Sequence, residues 1–106
     1  MALIPAEIFE EGIEDIVCQA FTASSGVTIN AGGFANSVIP NITKTGYTPL
    51  LAIYAYNNKT NSIYPSTVSG KVNSSNQVTF ALFNGGSAQQ TEVKATAHVI
   101  FVKAKS

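Results

Sequence analysis

Apolar and polar residues alternate along most of this chain with a period of two, which predicts β-strands. The clearest alternation runs from residue 78 to 83 and places Val78, Phe80 and Leu82 on one face. Another, at residues 93–102, places on one face the set Val93, Ala95, Ala97, Val99 and Phe101. Turn-forming clusters separate such runs at intervals of about ten residues, as in sandwiches. We therefore predict an all-β protein, a single antiparallel β-sandwich or jelly-roll-like domain of six to eight strands.

The most continuous apolar run covers residues 50–56, between Pro49 and the pair Asn57-Asn58. It is too short to cross a membrane, and its Ile and Tyr content favours a buried central strand. Strict alternation gives it two apolar faces, one of Leu51, Ile53 and Ala55 and the other of Leu50, Ala52, Tyr54 and Tyr56. We expect the first face to fill the core and a partner to cover the tyrosine face.

Breaker residues mark the remaining connections. Gly32 and Gly33 interrupt a long extended segment and predict a bulge or sharp bend. Pro65 lies inside a short apolar run at residues 63–68, and it favours an edge strand there because proline cannot donate a ladder hydrogen bond.

Charge is scarce and unevenly placed. Only 11% of the residues are charged, and five of the six acids lie in residues 1–15. We therefore divide the chain into an N-terminal acidic arm, residues 1–15, and a β-sandwich domain, residues 16–106. We expect the arm to be a short helix or irregular segment that is either solvated or docked on a basic neighbouring surface. Its candidate docking residues are Glu7, Ile8, Phe9, Glu10, Glu11, Glu14 and Asp15.

The remaining charge indicates the class of partner. All six basic residues are lysines scattered along the chain, with no arginine and no cluster, which argues against nucleic acid. Zero net charge and a low charged fraction favour association with copies of the chain. The N-terminus lacks the basic and apolar regions of a secretion signal, so we expect folding in a reducing cytoplasm and no membrane association.

Chemistry-bearing residues are few. Cys18 lies in an apolar run and predicts a buried structural thiol, and His98 lies in mid-strand and predicts a core or half-buried histidine. One histidine and one cysteine cannot form a nucleophilic triad or a closed metal site, and Gly32-Gly33 and Gly85-Gly86 lack the lysine of a phosphate loop. We predict no catalytic residues, no metal and no cofactor.

A group of tyrosine and asparagine residues is a candidate binding face. With alternation, Tyr54 and Tyr56 share a strand face and form a platform on which sugar rings could stack, with Tyr64 and Asn58 nearby. The alternative is that these tyrosines close the core or a subunit interface. Sequence thus predicts an interface or glycan-binding face at Tyr54, Tyr56, Tyr64 and Asn58.

Three segments, residues 46–56, 78–84 and 97–103, resemble small β-sandwich virion surface proteins of tailed bacteriophages that infect Gram-positive bacteria. The resemblance implies a capsid decoration or head-fibre protein, or a tail receptor-binding module. It also implies a homotrimer that contacts other virion proteins, such as the major capsid or tail protein, and a host cell-surface glycan as a further partner. The implied location is the virion surface, after assembly in the bacterial host cytoplasm.

Overall fold

The computed structural model of the protein describes residues 15–66 and 69–104, which form nine β-strands in packed antiparallel sheets. The strands are β1 (Ile16–Thr22), β2 (Val27–Ile29), β3 (Phe34–Ile39), β4 (Tyr47–Asn57), β5 (Ile63–Pro65), β6 (Ser69–Lys71), β7 (Val78–Asn84), β8 (Gln90–Val93) and β9 (Ala95–Lys103). The predicted all-β class with a sandwich architecture is confirmed. The strand count exceeds the predicted six to eight because the last extended segment is divided at Lys94, and β8 pairs separately from β9.

The strands form sheets of four, three and two strands. The four-stranded sheet has the order β1-β9-β4-β6, the three-stranded sheet β3-β7-β5, and the two-stranded sheet pairs β2 with β8. β5 is an edge strand, as Pro65 predicted. The predicted bend at Gly32-Gly33 is a turn between β2 and β3, where Gly32 has a φ of 71°, a conformation that favours glycine.

The core lies between the inner faces of these sheets. Alternation grouped its two main contributors correctly, and the structure shows that the face of Val78, Phe80 and Leu82 and the face from Val93 to Phe101 are the buried ones. The core residues are Ala23, Ile29, Ile39, Ile42, Ala52, Ile63, Val72, Val78, Phe80, Leu82, Val93, Ala95, Ala97, Val99 and Phe101. Tyr54 of β4 meets Phe80 of β7 edge to face, with ring centroids 5.6 Å apart. This contact joins the four-stranded sheet to the three-stranded sheet across the core.

Buried polar groups connect the sheets. The Ser37 hydroxyl, fully buried on β3, accepts a hydrogen bond of 3.1 Å from the backbone N–H of Ala95 on β9. The amide of Asn84, at the end of β7, donates to the carbonyl oxygen of Ile29 on β2 at 3.0 Å. These bonds fix the relative positions of the sheets, because a buried polar group without a partner is costly.

β4 carries two irregularities that alternation did not predict. Pro49 and Leu51 pair with adjacent residues of β9, so Leu50 has no partner there. Tyr54 and Tyr56 also pair with adjacent residues of β9, so Ala55 has no partner there. Leu50 and Ala55 are therefore extra residues of β-bulges, and each bulge reverses the side on which the following residues lie. As a result Ala52 and Tyr54 face the core, whereas Leu51, Ile53 and Tyr56 share a face with outward residues of β9. The predicted grouping of Leu51 with Ile53 and of Ala52 with Tyr54 is confirmed, but Tyr56 lies on the opposite side from Tyr54. The expectation that the face of Leu51 and Ile53 fills the core is wrong.

Candidate functional site

One candidate site is the outer side of the four-stranded sheet, turned away from the core. Residues paired across antiparallel strands share a face, so the register identifies its members. Because Ala97, Val99 and Phe101 are buried, their neighbours on β9 point outward. We call the following set the apolar outer face: Ile16, Cys18, Ala20, Leu51, Ile53, Tyr56, His98, Ile100 and Val102.

The apolar outer face departs from the usual pattern of a solvated sheet. An antiparallel sheet with one solvated side normally places polar residues there. Here Ile16 is 62% exposed, Ile53 42% and Tyr56 56%. A charged residue borders the face at one edge, because Lys71 on β6 pairs with Leu51. The face therefore has the composition of a contact surface.

The predictions for Cys18 and His98 are both wrong. Each side chain is exposed on the apolar outer face. His98 lies between the inward residues Ala97 and Val99, and the register places it between Ala20 and Ile53 near the middle of the face. Cys18 belongs to a run that is apolar on both sides of β1, so its sequence could not show which side is buried.

The arm residues Glu7, Ile8, Phe9, Glu10, Glu11 and Glu14 lie outside the described residues. Asp15 is exposed, and its carbonyl oxygen accepts a hydrogen bond of 2.7 Å from the backbone N–H of Lys103. The chain therefore enters β1 beside the end of β9, at one corner of the four-stranded sheet.

The predicted tyrosine platform is wrong. Tyr54 points inward, where Asn57 Nδ2 donates a hydrogen bond of 2.9 Å to its hydroxyl. Burial raises the pKa of Tyr54, and this hydrogen bond offsets part of the rise. On β9, Tyr54 pairs with Ala97 and Tyr56 pairs with Thr96. Adjacent residues of a strand point to opposite sides of the sheet, so Tyr56 points outward.

The other two residues of the predicted face lie elsewhere. Asn58 Nδ2 donates to the carbonyl oxygen of Glu92 at 3.0 Å, and Asn58 Oδ1 accepts from the backbone N–H of Lys94 at 2.8 Å. These bonds hold the junction between β8 and β9. Tyr64 lies on the three-stranded sheet, where it pairs with Phe83.

Tyr64 belongs to an aromatic row on the outer side of the three-stranded sheet. Phe34, Phe83 and Tyr64 pair in register across β3, β7 and β5. Ring centroids of Phe34 and Phe83 are 4.9 Å apart, and those of Phe83 and Tyr64 are 5.5 Å apart. Phe34 is 64% exposed and Tyr64 is 50% exposed. We call these three residues the aromatic row.

Sequence reasoning missed Phe34 and Phe83 as site residues. The alternation that buries Phe80 and Leu82 also turns Phe83 outward, so this part of the signal was present. The pairing of β3 with β7 was not readable, because these strands are far apart in the sequence and pair through the tertiary structure.

A cleft of about 360 Å³ lies beside β3. Asn36 and Val38 lie on the same outward side of β3 as Phe34, because the alternate residues Ser37 and Ile39 are buried. The cleft is lined by Ser24, Ser25, Val27, Asn36, Val38, Pro40 and Gln77. Asn36 thus lies between the aromatic row and the cleft.

Among residues 15–66 and 69–104, no three His, Cys, Asp or Glu side chains gather closely enough to hold a metal ion. That part of the chain also holds no helix with the length and hydropathy needed to cross a membrane.

Comparison of the chain with protein-family models, with curated proteins and with solved structures found no match.

Proposed function

We propose that this protein is a non-enzymatic structural protein of a bacteriophage virion, of capsid decoration or head-fibre type. It packs with copies of itself, as a homotrimer, through the apolar outer face. The observation that carries self-association is the exposure of Ile16, Ile53 and Tyr56 on one continuous sheet face. The virion setting is supported by the resemblance of residues 46–56, 78–84 and 97–103.

The size of the apolar outer face suits the centre of a subunit interface. Three strands at the usual spacing, each seven residues long, cover roughly 15 by 23 Å. Specific interfaces bury about 800 Å² on each partner and have an apolar centre with a polar rim. The face supplies the centre, and Thr22, Thr48 and Lys71 at its borders supply part of the rim.

Attachment to the particle is assigned to the arm, residues 1–15. Its acids give it a charge opposite to that of the lysine-bearing body, so it complements basic surfaces of other virion proteins such as the major capsid or tail protein. Contact through this acidic segment leaves the apolar outer face free for the copies.

The test of self-association compares Ile53→Lys with Val38→Lys. Ile53 is 42% exposed on the apolar outer face, and Val38 is 40% exposed on the outer side of the other sheet. We expect Ile53→Lys to weaken self-association about a hundredfold, because it buries an unpaired ammonium group in the interface. Sedimentation velocity over a concentration series measures the effect, and Val38→Lys should retain the wild-type assembly.

A wild-type chain that stays monomeric at all concentrations would contradict the proposal. So would two lysine variants that weaken association equally, since the contact would then lie elsewhere. Circular dichroism of both variants verifies that the β-sheet content is retained.

Recognition of a host cell-surface glycan is the second candidate function. The predicted Tyr54 and Tyr56 platform does not support it, but the aromatic row and the neighbouring cleft favour it.

A further inference from the structure

We propose that the aromatic row and the adjoining cleft form one binding site for a neutral glycan chain. The row is Phe34, Phe83 and Tyr64, and Asn36 connects it to the cleft beside β3. This site rests on the second candidate function, for which it names the residues and the ligand class, and it lies on the opposite side of the sandwich from the apolar outer face.

The geometry of the row fits consecutive sugar rings. Its ring centroids lie 4.9 and 5.5 Å apart, comparable to the separation of neighbouring pyranose rings in a glycan. The C–H groups of a pyranose stack on aromatic rings, which favours phenylalanine and tyrosine at exposed positions. The rings are tilted by 50° and 58° to their neighbours, so they do not form a single flat platform.

Gly85 supports the position of Tyr64. A Cβ atom on Gly85 would lie 3.2 Å from the Tyr64 hydroxyl oxygen and 3.4 Å from the ring of Phe83. The absence of a side chain at this position lets both rings lie against the backbone at the end of β7. The row is therefore held in place by packing, which lowers the entropy that binding would cost.

The cleft supplies the hydrogen bonds that stacking lacks. Four of its lining residues, Ser24, Ser25, Asn36 and Gln77, have hydroxyl or amide side chains, and the other three are the apolar residues Val27, Val38 and Pro40. A cavity of about 360 Å³ lies in the range of small-ligand sites. Apolar walls with a few amides and hydroxyls match a sugar, whose faces are apolar and whose edges carry hydroxyls.

The charge of this surface selects neutral ligands. Every residue named in the row and the cleft is uncharged, and so are all residues of β3, β5 and β7. An anionic polysaccharide or a nucleic acid would find no cation there to compensate its phosphates or carboxylates. A neutral hexose or N-acetylhexosamine polymer needs no such compensation.

The experiment titrates the full-length, isotopically labelled protein with cellohexaose, maltohexaose and chitohexaose, followed by NMR. Hexagalacturonate serves as the anionic probe, and a glycan array of neutral bacterial surface polysaccharides extends the range of linkages. We expect at least one neutral glycan to shift the signals of Phe34, Asn36 and Tyr64. Phe34→Ala and Tyr64→Ala should each weaken that binding about tenfold.

The matched control is Tyr56→Ala. Tyr56 is 56% exposed, like the row residues, but lies on the apolar outer face, so its removal should leave glycan binding unchanged. Because both aromatic targets are exposed, their alanine variants should stay folded at the temperature of the titration, which the unfolding midpoint, measured alongside, verifies.

Three results would overturn the proposal: no binding of any neutral glycan in the titrations and the array, binding of hexagalacturonate alone, or binding lost in Tyr56→Ala and retained in Phe34→Ala. Loss of self-association in Phe34→Ala without glycan binding would also overturn it, since the row would then be a contact between copies. Glycan binding by a monomeric protein would support this site while contradicting the proposed self-association, so the two failures are distinguishable.

Discussion

At the scale of single residues, Asn84 shows how one side chain connects separate parts of the sandwich. Its amide is fully buried, and Nδ2 donates to the carbonyl oxygens of Ile29 and Ala88 at 3.0 and 2.8 Å. Its Oδ1 accepts from the backbone N–H of Gly86 at 2.9 Å. Every polar atom of the side chain is therefore paired, which makes its burial tolerable.

Asn84→Asp tests this role. A carboxylate has nearly the same shape but cannot donate, so the carbonyl oxygens of Ile29 and Ala88 lose this donor and a charge enters the core. We expect a loss of about 3 kcal/mol or more in the free energy of unfolding. Urea denaturation measures it, with Asn61→Asp at an exposed position as the control, which should stay within about 0.5 kcal/mol of wild type. Equal effects of the two variants would contradict this role.

Tyr54 links stability to alkaline pH. Burial raises its pKa, so the folded state holds the phenol proton more tightly than the unfolded state does. A raised pKa contributes stability that is fully present below the pKa of the unfolded chain, near 10, and is lost as pH rises through the folded value.

Tyr54→Phe should therefore have two effects. At pH 7 it removes the hydrogen bond from Asn57 and should cost about 1 kcal/mol. Above about pH 10 the wild type loses this contribution, so the difference between the two proteins should shrink. Urea denaturation at pH 7, 9, 10 and 11 measures both effects. Parallel pH profiles would show that ionisation of Tyr54 is not linked to folding.

At the scale of elements, the two bulges of β4 determine which residues are available to partners. Without them, Tyr54 and Tyr56 would share a face, as alternation predicts. The bulge at Ala55 leaves Tyr54 against Phe80 in the core and turns Tyr56 outward. Pro49 lies beside the first bulge, but no glycine or proline marks the second, so sequence could not show the separation of Tyr54 from Tyr56.

The edge strand β1 provides a reporter of the proposed contact. Cys18 is the single cysteine of the chain and is exposed on the apolar outer face, paired with Ile100 of β9. If copies pack through this face, the thiol should react several-fold more slowly with a maleimide in wild type than in Ile53→Lys. The rate is followed by mass spectrometry at equal protein concentration. Equal rates, with wild type assembled, would place the contact on another surface.

At the scale of the whole molecule, the sandwich presents two different surfaces on opposite sides. One is apolar and belongs to the four-stranded sheet, and the other carries the aromatic row on the three-stranded sheet. If copies pack through the first, the second points away from their contact. This arrangement lets one small domain assemble and bind a ligand with separate faces.

The arm can be tested as a unit. Deletion of residues 1–14 keeps the carbonyl of Asp15 that accepts from Lys103, so the β-sandwich should keep its unfolding midpoint and self-association. Occupancy on phage particles, measured by quantitative mass spectrometry, should fall. The combined variant Glu10→Gln, Glu11→Gln and Glu14→Gln separates charge from apolar contact, because it keeps the apolar residues. Unchanged occupancy after the deletion would show that the arm does not attach the protein to the particle.

Sequence alone determined the all-β class, the grouping of β7 and β9 residues into faces, and the edge position of β5. Each depends on a local rule, either the period of two in a strand or the missing donor of proline. The sequence also shows that charged residues are few and that most of the acids lie in residues 1–15.

Only the tertiary structure decided which of two apolar faces is buried. Cys18, Tyr54 and Tyr56 lie in runs that are apolar on both sides, so the hydrophobic effect gives either orientation a similar local pattern. Long-range pairing with β9 and the bulges in β4 settle the choice. The aromatic row has the same origin, because Phe34 and Phe83 meet only when strands distant in sequence pair side by side.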